Sequence, residues 1–322
     1  MRGLPAAVAI VFQVCTLTFF AGCETRTPAG FAKPWQVFGR TGIGPGEFNY
    51  PRAGVIGADG LLYIVDKGGR VQALNLDGGF VRGWTMPLFE AGKPTGLGAS
   101  PDGRIFAADT HYFRITSFKS DGTLDGYFGE HGDGPGQFRL PTDVLIDPRG
   151  FIFVSEYGGN DRISKFTMNW EYIKSFGGTD AGIAKLERPQ CLCQAPDRTL
   201  WVADSCNHRI VHFDDDGKFL GAFGSLGDSP GELRFPYSVE VLSDGTLVVV
   251  EYGNNRLQRF DQSGKSLGFW GRAGRGVGEL AYPWAIVLGP NARLYVIDSG
   301  NNRVQVLDPL AAATWTSSTP QK

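Results

Sequence analysis

Short apolar runs recur along the chain, alternating between faces, and each ends in an acid. They read LYIVD, IFAAD, IFVSE, LWVAD, LVVVE and LYVID, closing on Asp66, Asp109, Glu156, Asp204, Glu251 and Asp298 with spacings of 43, 47, 48, 47 and 47 residues. An Arg follows each acid (Arg70, Arg114, Arg162, Arg209, Arg256, Arg303), and a Pro precedes each (Pro51, Pro94, Pro141, Pro189, Pro236, Pro283) with the same spacings. Three markers on one period define six repeats. Each repeat holds four strand-like runs; in the fifth they are YSVEVL, TLVVVE, RLQRFD and SLGFWG. Short β-branched and aromatic runs bounded by SDG, GNN and QSG turns predict a β-meander. Six four-stranded meanders predict an all-β, six-bladed β-propeller of antiparallel blades. No stretch sustains the 3.6-residue period of a helix.

The sixth repeat stops after its third strand, RVQVLD, and an unmatched strand, WQVFG, precedes the first. Pairing the two would leave no open seam to fray, so the N-terminal strand is predicted to close the last blade. The propeller then spans 34–310, with residues 311–322 as a loose C-terminal tail.

The segment FGEHGDGPGQFRLPTDVLIDPRGFIFVSEYGGNDRISKF, residues 128–166, resembles an NHL repeat: Phe-Gly, a Gly-rich loop, Pro, an apolar strand, Asp-x-x-Gly, a strand ending in an acid, then a turn and Arg. The resemblance extends over 35–308 and implies a six-bladed propeller of the bacterial exported or lipoprotein type. It implies a fold and not an activity, because propellers host enzymes and binding modules alike.

The first 22 residues, one Arg followed by an apolar run and small residues, read as a signal peptide outside the fold. FFAGC resembles a bacterial lipobox, which implies lipidation at Cys23, a tether over 23–33 and an outer-membrane lipoprotein facing the periplasm. Phe20 departs from that pattern, so ordinary cleavage and an uncleaved anchor stand as alternatives. Net charge is −2 with a sequence pI near 6.1. These totals show no basic footprint for nucleic acid.

Each acid and its Arg are expected to pair across the turn between the second and third strands, the Arg bidentate on the carboxylate. Loops such as GRTGIGPGEF and GSLGDSPGEL are followed by Pro and a strand, whereas a phosphate loop opens a helix. They read as crossings between blades.

Strand order gathers the residues after each Pro and each acid on one face, at the channel mouth. These positions differ between repeats, as binding residues on a repeated scaffold do. Arg52, Gln190, Tyr237 and Trp284 follow prolines, as do Thr95 and Thr142; Lys67, Tyr157 and Tyr252 follow acids, and His111 and Tyr112 extend the second turn. Cations, aromatics and an amide around one concavity suit a polar or anionic ligand or a peptide. Packing of the aromatics against neighbouring blades is the competing reading.

The amidating lyases, propellers similar to NHL domains, hold zinc through three histidines directly after blade-opening prolines. No post-Pro residue here is His, and the chain has only His111, His131, His208 and His212. Lactonase-type propellers hold a metal through axial carboxylates and amides, which leaves Asp143 and Glu240 on inner strands as candidates. Cys191 and Cys206 are a candidate disulfide in an exported chain, with three separate thiols as the alternative. The combined expectation is a non-catalytic recognition or scaffold protein for a polar ligand or partner protein. No cofactor and no bound metal are expected, and the alternative is a metal-dependent propeller enzyme.

Overall fold

The computed structural model describes residues 32–317. The predicted signal peptide, Cys23 and most of the tether lie outside the described residues. Six four-stranded antiparallel sheets follow one another along the chain. Their inner strands are Pro51–Ile56, Gly96–Ala99, Leu140–Ile146, Pro189–Gln194, Pro236–Val241 and Ala285–Leu288. Each inner strand packs against those before and after it, the sixth against the first, so the blades form a closed ring around a channel. Among the described residues the only helices are four three-residue 3₁₀ turns. The ring closes as predicted: Gln36–Phe38 is the outer strand of the sixth blade, with Gln36, Val37 and Phe38 opposite Val306, Gln305 and Val304.

Six apolar clusters fill the six gaps between blades. Between the second and third blades, Phe106 and Ile115 meet Val144, Val154 and Phe166. Such a gap is dry because each blade presents the alternate residues of its strands to each neighbour. The Gly-rich crossings contribute to the same gaps. Each lowers one large residue into the core, and Phe48, Phe138, Leu233 and Leu280 are fully buried. The Phe138 ring lies against the backbone of Gly129, which has φ +95°, and a Cβ at that glycine would fall inside the ring. The Phe-Gly dipeptide of the repeat is thus required by a close approach and a left-handed backbone together. The loop N–H groups are already satisfied: Gly44 donates to Glu47 Oε2 at 2.9 Å, and Gly276 to Glu279 Oε2 at 2.8 Å. A phosphate would have to displace the chain's own carboxylates.

All six acid–Arg pairs form across the turns, at 2.5 to 2.9 Å. Their geometry is not the expected two-pronged clamp. In the sixth blade Arg303 gives only Nε to Asp298, at 2.7 Å, while Nη1 donates to Arg275 O at 2.9 Å and Nη2 to Glu279 O at 2.8 Å. The rest of the fork is occupied by carbonyls of the Gly-rich crossing. Asp298 in turn accepts the Ala281 N–H at 2.8 Å. One buried ion pair therefore ties together the second turn, the crossing and the entry to the inner strand. Burial pushes the carboxyls of Asp109, Glu156, Asp204, Glu251 and Asp298 above their usual range despite the partner Arg.

The C-terminal segment is not loose over its described part. Thr316 and Phe269 exchange backbone hydrogen bonds, both at 3.0 Å, on the outer strand of the fifth blade. Trp315 packs against the apolar cluster between the fifth and sixth blades. An aromatic side chain with an exposed strand edge beside it has both an apolar and a hydrogen-bonding reason to dock.

Candidate binding site at the channel mouth

Four of the six residues that precede the blade-opening prolines have a left-handed backbone: Tyr50 (φ 54°), Arg188 (54°), Phe235 (48°) and Tyr282 (48°). A residue before Pro is ordinarily driven to extended geometry, so something must hold these. The preceding blade in the ring does so. Tyr50 N–H donates to Asn302 Oδ1 at 2.6 Å, Arg188 N–H to Asp161 Oδ2 at 2.6 Å, Phe235 N–H to His208 Nδ1 at 3.1 Å and Tyr282 N–H to Asn255 Oδ1 at 2.7 Å. Each acceptor is the residue just before the repeat Arg. The second and third blades have Gly69 and Phe113 before them, without such a side-chain acceptor, and lack the clasp.

This backbone brings Tyr50 to the mouth beside the post-Pro residues. Tyr237 stacks on Tyr252 at 4.3 Å and meets Trp284 edge-on at 5.0 Å. Tyr50 meets Trp284 edge-on at 6.0 Å, and its hydroxyl lies 3.3 Å from that of Tyr252. The Arg52 guanidinium sits over Trp284, 5.0 Å from the ring centre. Arg188, from the fourth blade, sits over Tyr157 at 4.9 Å. The side chain of Arg52 has no ion pair or hydrogen bond among the described residues, and its Nε is buried without a partner, as is that of Arg188. Burial lowers the proton affinity of Arg52, with tyrosine hydroxyls rather than carboxylates around it. The same burial pushes the Tyr237 phenol up.

Below the mouth lies a cavity of about 300 Å³. Arg52, Thr95, Gln190, Tyr237 and Trp284 line it, as do Asp143, Cys191 and Glu240 lower in the channel. Asp143 Oδ2 accepts the Leu192 N–H at 2.9 Å, and Glu240 Oε2 accepts from the Cys193 thiol at 3.4 Å. Neither has a cationic partner among the described residues. Burial raises Asp143 to about 6 and Glu240 to about 7. No three His, Cys, Asp or Glu side chains among the described residues are placed to hold a metal ion.

The structure separates the expected mouth residues. Arg52, Gln190, Tyr237, Tyr252 and Trp284 converge, and Tyr157 joins them through Arg188. Lys67 is exposed and stands off the cavity. Tyr112 turns toward the crossing that precedes its blade, where its hydroxyl accepts the Ala91 N–H at 3.1 Å, and His111 packs against Gly92. The irregular second crossing draws both away from the channel. Thr142 is buried and donates to Pro189 O at 2.6 Å, linking inner strands. Cys191 and Cys206 are free thiols, not a disulfide. The Cys191 thiol lies 3.6 Å from Ser238 Oγ on the channel wall, while Cys206 sits in the turn above. Tyr50 and Arg188 were missed by the sequence reading. The signal was an aromatic residue or Arg directly before the blade-opening Pro, four times in six.

The NHL repeat model matches residues 186–213 and 280–307. NHL repeat-containing protein 3 of Mus musculus is 27% identical over 174 residues, 47% of this chain and 48% of its own length. This chain is a six-bladed propeller that carries NHL repeats. It spans about half the length of the curated relatives it matches, the human form of the same protein included, at 48%. Among solved structures, a streptogramin B lyase superposes with a TM-score of 0.60 at 18% identity, covering 84% of this chain and 96% of its own. The nidogen/laminin complex gives 0.59 at 18% identity, covering 74% and 84%. An NHL propeller thus shares its architecture with a lyase and with a protein–protein complex. At such identities the likeness shows the fold alone.

Proposed function

We propose that this NHL propeller is a recognition protein that holds an anionic group of a polar ligand or partner segment at the channel mouth. The observation that carries this reading is Arg52. A guanidinium caged by Trp284 and four tyrosines, with a buried unpartnered Nε and no carboxylate beside it, has no ionic partner within the chain's described residues. Buried charges are ordinarily paired, and an incoming carboxylate or phosphate would supply the pair. The aromatic walls add stacking surface at low entropic cost. Placement in the bacterial envelope through a lipidated Cys23 belongs to the same proposal and rests on the apolar segment ending in FFAGC.

The test is retention from a random hexapeptide library with free C-termini, comparing the parent protein with Arg52→Gln, Tyr237→Ala and Trp284→Ala. Loss of retention in all three, with unfolding curves still cooperative, supports the reading. Equal retention by all three refutes it. A catalytic reading has one observation in its favour: two carboxyls in the cavity with proton affinities lifted toward neutrality, as at acid–base sites. Turnover of a retained peptide, abolished by Glu240→Gln with retention intact, would favour that reading.

A further inference from the structure

The channel is charged in opposite senses at its two levels. Arg52 stands at the mouth, one residue after its Pro. Asp143 lies two residues after its Pro and Glu240 four after its own, both lining the same cavity. At about 3.3 Å per strand residue, Glu240 is roughly 10 Å below the mouth level. Neither the guanidinium nor either carboxylate has an ionic partner within the described residues. Their hydrogen bonds come only from neutral groups: Asp143 accepts from the Leu192 and Val144 N–H groups and the Cys191 thiol, and Glu240 from the Cys193 thiol and the Leu288 N–H. The thiols of Cys191 and Cys193, which burial keeps protonated, face the carboxylates, and Glu240 also borders a cavity lined by Asp147, Arg149 and Arg198. Glu240 also lies within electrostatic reach of Asp143. Between the levels the wall is mixed, with Leu97 and Ile286 beside Cys191 and Ser238.

A channel with the unpaired guanidinium groups of Arg52 and Arg188 at its mouth and two carboxyls without ionic partners below has an electrostatic demand that a simple anion meets only at its upper end. A molecule carrying both charges, with its positive end inward, meets it at both. We infer that the ligand is a zwitterion, a short peptide of two or three residues with free ends, its C-terminal carboxylate at Arg52 and its ammonium at Glu240, below Asp143. An extended tripeptide spans about 10 Å, which matches the depth of Glu240. The inference rests on the mouth reading above and adds the inner subsite and the polarity of the ligand.

The experiment is calorimetric titration of the purified protein at pH 7.5 with trialanine, N-acetyl-trialanine and trialanine amide. Free trialanine is expected to bind at least tenfold more tightly than either blocked form, about 1.4 kcal/mol. In the Asp143→Asn, Glu240→Gln double variant the advantage over N-acetyl-trialanine should vanish, with N-acetyl-trialanine binding unchanged. In Arg52→Gln the advantage over trialanine amide should vanish. Affinity for free trialanine should also rise from pH 5.5 to 7.5 as the inner carboxyls ionise. If N-acetyl-trialanine binds as tightly as trialanine, the inner subsite is wrong while the mouth reading stands. If the amide binds as tightly as the free peptide, Arg52 is not the carboxylate site and both readings fall. Absence of heat from all three, with variants that unfold cooperatively, also overturns both.

Discussion

Two unpaired carboxyls in a channel wall should leave a mark on folding that needs no ligand. Asp143 is raised from 3.8 to about 6 and Glu240 from 4.5 to about 7, burial being the largest cause for each. An acid that binds its proton more tightly when folded makes the unfolded state gain relative stability as the proton leaves. Stability is therefore fully present below the unfolded pKa and is lost as pH rises through the folded one, here between about pH 4 and 7. Each pKa unit corresponds to about 1.4 kcal/mol. Shifts of roughly two units then amount to about 3 kcal/mol at one site, and because Glu240 feels the Asp143 charge the two contributions do not simply add. Asp143→Asn and Glu240→Gln remove the charge while keeping an oxygen to accept the Leu192 and Leu288 N–H groups. The double variant should be more stable than the parent at pH 8, by several kcal/mol, with the gap narrowing as pH falls toward 4.5. Urea unfolding at a series of pH values reads this directly, since the midpoint shifts with stability while the slope is unchanged. The acids of the six turn pairs are common to both proteins, so the difference curve isolates the channel. A difference curve that is flat from pH 4.5 to 8, or that favours the parent at pH 8, would refute the claim that these carboxyls are buried without compensation.

Three other outcomes follow from the fold. Asp298→Asn leaves Arg303 buried without its charge partner, and such breaks cost about 3–5 kcal/mol, read as a lowered urea midpoint. Gly129→Ala puts a Cβ into the Phe138 ring at a left-handed φ and should cost several kcal/mol from overpacking and strain; Phe138→Leu in the same chain should recover part of it. Asn302→Ala removes the acceptor for the Tyr50 N–H where the ring closes, costing about 1–3 kcal/mol, and should speed hydrogen exchange at Tyr50.

The architecture was legible because three markers kept one period, and because an orphan strand at one end matched a missing strand at the other. The mouth was legible only in part. Position after a Pro or an acid placed Arg52, Tyr237 and Trp284 correctly, because the β-meander fixes which strand ends share a face. It failed for Tyr112 and His111, where the irregular crossing from Met86 to Lys93 offers a nearer partner in Ala91 and Gly92. Cys191 and Cys206 looked close because the sheet register sets Cys191 opposite Ala203. Register says which residues are opposite, but the Cys191 side chain turns to Ser238 and the channel. The left-handed pre-Pro residues could not be read from propensity, which argues against that backbone; only the clasp from the neighbouring blade overrides it.

That clasp links the two halves of the design. A propeller repeats its stabilising devices, so the acid, the Arg and the Gly-rich crossing recur from blade to blade and carry little information about function. Differences between repeats gather at the strand entries and at the irregular second crossing, and at the entries the chain accepts strained backbone at four positions. Strain of this kind persists where the surroundings over-determine it. The determinants here are side chains one position before the repeat Arg, so the device that ties blade to blade also sets Tyr50 against Trp284 and positions Arg188 over Tyr157. The mouth is thereby pre-organised by the ring as a whole, with the Arg52 and Arg188 guanidinium groups held over aromatic rings before any ligand arrives.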